Sequence, residues 1–443
     1  MNEDQRSGMT IEALDGPATP RFRRWLAGIL FAAAVLRVVL VVYAERDPSR
    51  FDYPDTHRYV QVARNIAAGL GPIDSPEVRA GTDPLYPAIL SAGILLGLED
   101  TRSILRFGRV VNVLCAIVSI ALLAAIGRRL MGGRAGLIAA GFLAVDPILL
   151  FFNGLVLTET LYITLLLAGM YCIIRQQGVP HAGWSLAAGI MLGLGVVTRS
   201  TSLLLPVMLF PFVVAFANSP RVSPHGFAGA RPCHSLTRRR LALLFILGTV
   251  APVGLVVARN YGLFGHFVPV RTGGGASLLE AFGPWADGGP GMDRIEYPIV
   301  PAGTDEYERD RVHREAAWNW IRANPRESMQ LAWAKLRRTW SVTLHAPGYS
   351  TTRYLLIGWL TVAPVYGLAL IGAFLLRKQV FVVLLLIAPG VYFSLVHMVF
   401  VGSVRYRLPA MPFLFLLAGA AIDYWRCRER PDGAARCSQW RIP

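Results

Sequence analysis

Ten apolar runs recur along the chain, at residues 25–43, 109–127, 135–152, 156–174, 184–198, 200–217, 241–258, 354–376, 380–400 and 407–424. A helix rising 1.5 Å per residue needs about 20 such residues to cross roughly 30 Å of hydrocarbon, and each run reaches or nearly reaches that length. So many runs cannot share one aqueous core, and a bilayer is the solvent that accepts them. Composition agrees: 54% of residues are hydrophobic and 16% charged, and the mean hydropathy is +0.45, well above soluble-domain values. The expected class is an all-α polytopic membrane protein with about ten transmembrane helices.

The net charge of +16 would suit nucleic acid if it lay along one soluble face. Instead the arginines fall in short clusters between apolar runs, where they act as topology signals. Arg128, Arg129 and Arg134; Arg175; Arg221, Arg231 and Arg238 to Arg240; Arg377 and Lys378; and Arg426 onward all fall on one side if ten runs cross with both termini in the cytoplasm. Residues 84–98, PLYPAILSAGILLGL, would upset this count by crossing, so they are expected to lie along or dip into the outer face. The resulting division is a disordered cytoplasmic N-terminus (1–24), a membrane core (25–258) with an outer loop at 44–108, an extracytoplasmic segment (259–353), C-terminal transmembrane helices (354–424) and a cytoplasmic tail (425–443). Of the five cysteines, Cys115 and Cys172 lie within helices and Cys233, Cys427 and Cys437 in inner segments, so disulfides have no part in the outer region.

The segment FDYPDTHRYVQVARNIAAGLG, residues 51–71, places charges directly after the first apolar run. Tyr59, Val62, Ala63, Ile66, Ala67 and Leu70 recur at helical spacing, with Arg58, Gln61, Arg64 and Asn65 on the other side and Gly69 and Gly71 as stops. The pattern predicts a short amphipathic helix suited to the membrane surface, with Asp55 as its N-cap. Position alone favours capping over catalysis for that aspartate. Asp146, before Pro147, is an intramembrane carboxylate whose place near a helix end favours bending the helix over chemistry. In the second outer segment, helices are expected at 306–323, ending at Asn324-Pro325, and at 327–340, with Met329, Trp333, Leu336 and Trp340 along one face. That pair either packs plainly on the membrane region or roofs an acceptor groove. His57, His345 and His397 lack metal-ligand spacing, and the TGGG at 272–275 is too short for a dinucleotide fingerprint.

PDTHRYVQVARNIAAGLG, followed by GTDPLYPAIL, resembles the first outer loop of the GT-C class of integral-membrane glycosyltransferases, in particular the protein O-mannosyltransferases and the lipid A aminoarabinose transferases. Asp55, Tyr59, Gly69 and Pro84-Leu85-Tyr86-Pro87 match that pattern. Leu157-Thr158-Glu159, Thr198-Arg199, ARNYGLFGHFVPVRTGGGASLLEAFG, WIRANPRESMQLAWAKLRRTW and RYRLPAMP resemble later elements in the same order, extending the likeness over about residues 25–424. Two departures stand out. Thr56 and His57 follow Asp55 where an acid is usual, and Asp83 precedes Pro84 where proline is usual, so Asp83 or Glu159 is left to supply a second acid.

The resemblance implies a GT-C-like fold with outer juxtamembrane helices and a small outer loop region. It further implies transfer of a sugar, with inversion, from a polyprenyl-phosphate carrier to a protein, lipid A or another envelope glycan or lipid. The protein would sit in the plasma (inner) membrane with its active site on the extracytoplasmic face. Asp55 is then the base. Arg199, Arg405 and Arg407 would hold the lipid phosphate, because a planar guanidinium meets phosphate oxygens through paired hydrogen bonds. Tyr59, Asp83, Tyr86, Glu159 and Arg259 complete the expected substrate site. No soluble cofactor and no nucleic acid is implied, and a divalent metal ion helped by Asp55 stays open. Each assignment has a structural alternative: Arg405 and Arg407 snorkelling, Glu159 capping its helix, and Arg259 anchoring a helix end. Two other classes also stay open. A transporter or lipid flippase would have a similar helix count, although no pair of similar halves is visible. An inactive relative serving envelope assembly would fit the unusual Thr56-His57.

Overall fold

The structure, a computed structural model, describes residues 18–47, 51, 53–177, 181–218, 235–343 and 351–428, and all regular structure among them is helical. The first half carries α1 (Pro20–Arg46), α2 (Pro54–Ala67), α3 (Leu85–Leu95), α4 (Thr101–Leu130), α5 (Gly133–Val145), α6 (Pro147–Gly154), α7 (Glu159–Arg175), α8 (Ala182–Thr198) and α9 (Leu205–Asn218). The second carries α10 (Ser235–Phe264), α11 (Gly274–Ala281), α12 (Glu306–Ala323), α13 (Pro325–Thr339), α14 (Thr352–Leu375), α15 (Val380–Val399) and α16 (Met411–Arg428). Most of 1–24, together with Arg221, Arg231, Cys233, His345, Cys437 and the tail beyond residue 428, lies outside the described residues.

Among the described residues, six helices are long and apolar enough to cross a membrane: α1, α4, α10, α14, α15, and α16 with the turn before it. The pair α5 and α6, bent by 53°, makes a possible seventh. Every predicted run is helical, yet α7 and α8 have 17 residues each and α9 has 14, about 26 and 21 Å at the usual rise. The chain is therefore an all-α membrane protein; among the described residues six or seven helices pass as full spans by length and composition, while α7, α8 and α9 of the expected ten are shorter. Helix α3, with 11 residues, is too short to cross, in line with the expectation for 84–98.

Local chemistry explains the less regular parts. Pro147 cannot continue α5, and Asp146 ends that helix while its carboxylate accepts the Leu149 amide at 2.8 Å, capping α6. The break strands carbonyls at the end of α5, and Arg37 of α1 meets them, donating to Leu143 O at 3.3 Å and Ala144 O at 3.1 Å. Its Nε reaches Asn153 Oδ1 at 2.9 Å, so this buried arginine repairs a broken helix. Helices α8 and α10 approach closely because glycines face each other: a Cβ at Gly189 would collide with the Phe245 carbonyl, and one at Gly248 with that of Leu186.

Residues between α10 and α14 form a small unit with its own core of Leu278, Leu279, Phe282 and Ala317, to which Val401 contributes. Its helices α12 and α13 fall where the sequence predicts them. Glu306 ties the unit to the first loop, accepting from the amides of Arg79 at 2.6 Å and Ala80 at 3.3 Å and from the Thr272 hydroxyl. Lys335 ties it to the end of α15. Its buried ammonium lies 3.3 Å from the Phe282 ring centroid and donates to Val399 O at 3.2 Å. Burial brings this lysine down to about 7.

Candidate active site

Pro54 opens α2 with the backbone angle a first helical turn needs, so the N-cap is Tyr53, which makes no side-chain cap bond. Asp55 therefore sits inside the first turn rather than at the cap, correcting the expectation from sequence by two positions. Its carboxylate turns to a side chain instead: Asp55 Oδ2 accepts from Arg405 Nη1 at 2.7 Å. Arg405 lies in the 3-10 turn Val404–Ala410, which leads into α16. Through Nε the same guanidinium donates to Glu159 Oε1, and Arg199 Nη1 donates to that oxygen at 2.8 Å. Glu159 is the first residue of α7, behind the N-cap Thr158, and Arg199 is the C-cap of α8.

Four segments distant in sequence thus meet in one chain of charges, Asp55–Arg405–Glu159–Arg199. Exposure separates its two acids. The Glu159 side chain is 1% exposed and that of Asp55 is 38% exposed, so only Asp55 is open to an arriving molecule. The guanidiniums lie over aromatic faces: Arg405 over Tyr53 at 5.1 Å and Arg199 over Tyr162 at 6.0 Å and Tyr406 at 5.8 Å. Tyr406 in turn stacks on His397 at 4.0 Å.

A second group adjoins the first. Asp83 Oδ1 accepts the Ser200 amide at 3.3 Å, and Arg271 donates to Ser200 Oγ at 3.2 Å and Gly81 O at 3.2 Å. Burial pushes the Asp83 carboxyl upward while the Arg271 charge pulls it back. Burial also raises the Tyr59 phenol, with the Asp55 charge adding to the effect. Tyr59 meets Tyr86 edge-on at 5.7 Å, and the Tyr86 hydroxyl donates to Asn112 Oδ1 at 3.1 Å. Three carboxylates, Asp55, Asp83 and Glu159, face three guanidiniums, Arg199, Arg271 and Arg405.

Of the residues singled out from sequence, Asp55, Glu159, Arg199 and Arg405 come into direct contact. Tyr59 and Asp83 adjoin them, and Tyr86 stands behind Tyr59. Arg259 is spent elsewhere, on the carbonyls of Pro72 at 3.0 Å and Arg79 at 2.6 Å. Arg407 is buried beneath the Tyr366 ring at 5.7 Å and donates to the carbonyls of Ser341 and Thr339. A basic residue near a membrane boundary reads alike whether it meets phosphate or carbonyl oxygen, which is why sequence could not separate these four arginines. Arg271, Ser200 and Tyr406 went unselected, since they lie in turns with no periodic signal. Arg271 nevertheless stands inside a segment matched to the GT-C pattern.

Among the described residues, no group of three or more His, Cys, Asp or Glu side chains is placed to hold a metal ion. Asp55 and Glu159 are both turned on Arg405, so a divalent ion held between them would have to displace a guanidinium.

The sequence profile of the dolichyl-phosphate-mannose-protein mannosyltransferases matches residues 82–230, about a third of the chain. No curated protein matches the chain in sequence. Among solved structures, the apo oligosaccharyltransferase of Archaeoglobus fulgidus is similar with a TM-score of 0.55 at 14% identity, over 95% of this chain and 52% of that one. The same enzyme with an inhibitory peptide and a dolichol-phosphate gives 0.52 at 11% identity, over 96% and 53%. ArnT from Cupriavidus metallidurans, bound to undecaprenyl phosphate, gives 0.35 at 16% identity, over 92% and 81%. The chain spans about half the length of the archaeal enzyme, and over that half it has the same fold. The GT-C-like fold expected from the sequence is the fold observed.

Proposed function

We propose that this GT-C-fold membrane protein is a glycosyltransferase that moves a sugar from a polyprenyl-phosphate carrier to an acceptor in the cell envelope. The observation that carries the reading is the convergence of Asp55, Arg405, Glu159 and Arg199 at one end of the helical bundle, with a single acid, Asp55, open to solvent. The arginine clusters Arg128, Arg129, Arg238 to Arg240, Arg377 and Lys378 belong to the opposite helix ends. By the positive-inside rule the site then faces outward from the cytoplasm.

In the proposed reaction the acceptor oxygen attacks the anomeric carbon as its proton passes to the Asp55 carboxylate. The bond from that carbon to the phosphate oxygen breaks, its electron pair leaving with the lipid phosphate. Attack on the face away from the phosphate inverts the anomeric centre. Arg405, Arg199 and Arg271 stabilise the charge that develops on the leaving group, in a setting where burial strengthens each contact. An arriving phosphodiester adds a negative charge to a balanced cluster, so it competes with Asp55 for Arg405. Glu159, too buried to reach an acceptor, holds both arginines in place. The mannosyltransferase profile and the dolichol-phosphate on the matching archaeal enzyme support a lipid phosphate as carrier.

Membranes containing the protein, incubated with a labelled polyprenyl-phosphate sugar and an envelope extract, test this. Transfer of label together with release of polyprenyl phosphate is the expected result. Label entering sealed vesicles without transfer would instead identify a transporter and overturn the reading.

A further inference from the structure

Four guanidiniums gather at the start of α4, outside the Asp55 site. Glu45, in the last turn of α1, accepts from Arg102 Nε at 3.2 Å, Arg106 Nη2 at 3.0 Å and Arg109 Nη1 at 2.8 Å. Arg64 of α2 reaches the same helix end and donates to Thr101 Oγ1 at 2.7 Å. The acids here are Glu45, the exposed Glu99, and Asp100, which uses a carboxylate oxygen to cap the Ser103 amide. Arg46, the last residue of α1, and its C-cap Asp47 carry opposite formal charges and leave the sum unchanged. Four cations against three anions leave one positive charge, and the side chains of Arg102 and Arg106 are 67% and 55% exposed.

Beside Arg106 opens a groove of about 190 Å³, lined by Leu98, Ser103, Phe107 and Val110. The groove continues as an apolar stripe: Val110, Leu114 and Val118 recur every four residues on the exposed face of α4, a helix long enough to cross the membrane. Cationic forks above an apolar track, at the end of a membrane-spanning helix, have the layout of a lipid molecule. This holds for whichever leaflet that end meets.

We infer that this corner binds an anionic phospholipid, its phosphodiester between Arg102 and Arg106 and one acyl chain along Phe107, Val110, Leu114 and Val118. One surplus cation matches the single charge of a phosphodiester. A zwitterionic lipid brings its own cation and leaves the surplus uncompensated. Arginine suits the headgroup because its planar fork meets two phosphate oxygens at once.

Native mass spectrometry of the full-length protein in detergent, titrated separately with phosphatidylglycerol, phosphatidylcholine and inorganic phosphate, tests the assignment. One uncompensated arginine charge near an anionic lipid contributes about a factor of five, so wild type should prefer phosphatidylglycerol by roughly fivefold. Arg102→Gln with Arg106→Gln should abolish that preference, and Arg102→Lys with Arg106→Lys should keep most of it. Leu114→Ser with Val118→Ser should weaken both lipids together. Equal binding of the two lipids by wild type, a measurement that needs no variant, overturns the inference. So does an unchanged preference in the glutamine variant. If inorganic phosphate displaces phosphatidylglycerol at equal concentration, the site is one for a free anion and the lipid assignment fails.

Discussion

Glu159→Gln removes one negative charge and almost no volume from the centre of the site, and the structure gives the size of its effect. Glu159 is the common partner of Arg199 and Arg405, and its side chain is 1% exposed. At the 2.8 Å separation from Arg199 and an effective dielectric constant of about 20, one such attraction is worth roughly 6 kcal/mol. Taking the ions out of water offsets much of this, so the expected net loss on removing one partner is about 3–5 kcal/mol. Arg405 would then keep Asp55, and Arg199 would lose its carboxylate partner. Thermal unfolding in detergent should show a large destabilisation, and transfer should fall with it. Pairing the change with Arg199→Gln restores the charge balance, and the double variant should regain most of the lost stability without regaining activity. A Glu159→Gln protein within about 1 kcal/mol of wild type, the usual range for a solvent-exposed ion pair, would refute the reasoning. Strict additivity in the double variant would refute it too.

Three further outcomes follow from other parts of the molecule. Lys335 has a folded value of about 7 against about 10.4 when unfolded, so between these the unfolded chain binds the extra proton and stability rises with pH, by at most about 1.4 kcal/mol per unit; unfolding measured across pH 7 to 10 should lose that slope in Lys335→Met. Glu306→Gln weakens the contacts from Arg79 and Ala80 that fasten α12 to the first loop, including the 2.6 Å bond from the Arg79 amide, and a third from Thr272, and at roughly 1.5–3 kcal/mol per charged hydrogen bond limited proteolysis should cut the segment between α10 and α14 faster than in wild type. Gly189→Val forces a side chain onto the Phe245 carbonyl, and an overpacking cost of about 1–3 kcal/mol or more should appear as a lowered melting temperature, with Gly189→Ala affected less.

Much of this fold is legible in the sequence because a bilayer allows few solutions. Every apolar run became a helix, and Pro147 and Asn324-Pro325 mark real breaks. The number of spans was harder to read. The apolar run that ends at Thr198 gives way to the extended C-cap Arg199, and the next run begins inside a turn, so α8 stops with its run and α9 is shorter than its own. The site was legible only in part, for a different reason. Asp55 and Glu159 stand in recognisable patterns beside helix starts. Which arginine meets which acid depends on turns at 199–202 and 404–410 and on contacts between residues hundreds of positions apart. Arg259 and Arg407 carry the same signals as Arg199 and Arg405 yet serve backbone carbonyls. The shift of Asp55 from cap to first turn came from Pro54, whose ring fits the first helical position and moves the cap back to Tyr53.

The central claim is that Asp55 takes the acceptor proton while the arginines hold the phosphate. Single-turnover transfer from a labelled polyprenyl-phosphate sugar, measured beside the binding of that donor, for wild type and Asp55→Asn tests it most directly. A positioned base contributes about 10²–10⁴-fold, so the variant should bind the donor at least as well as wild type, because Arg405 is released to it, and transfer sugar at least a hundredfold more slowly. Equal transfer rates in the two proteins would contradict the account.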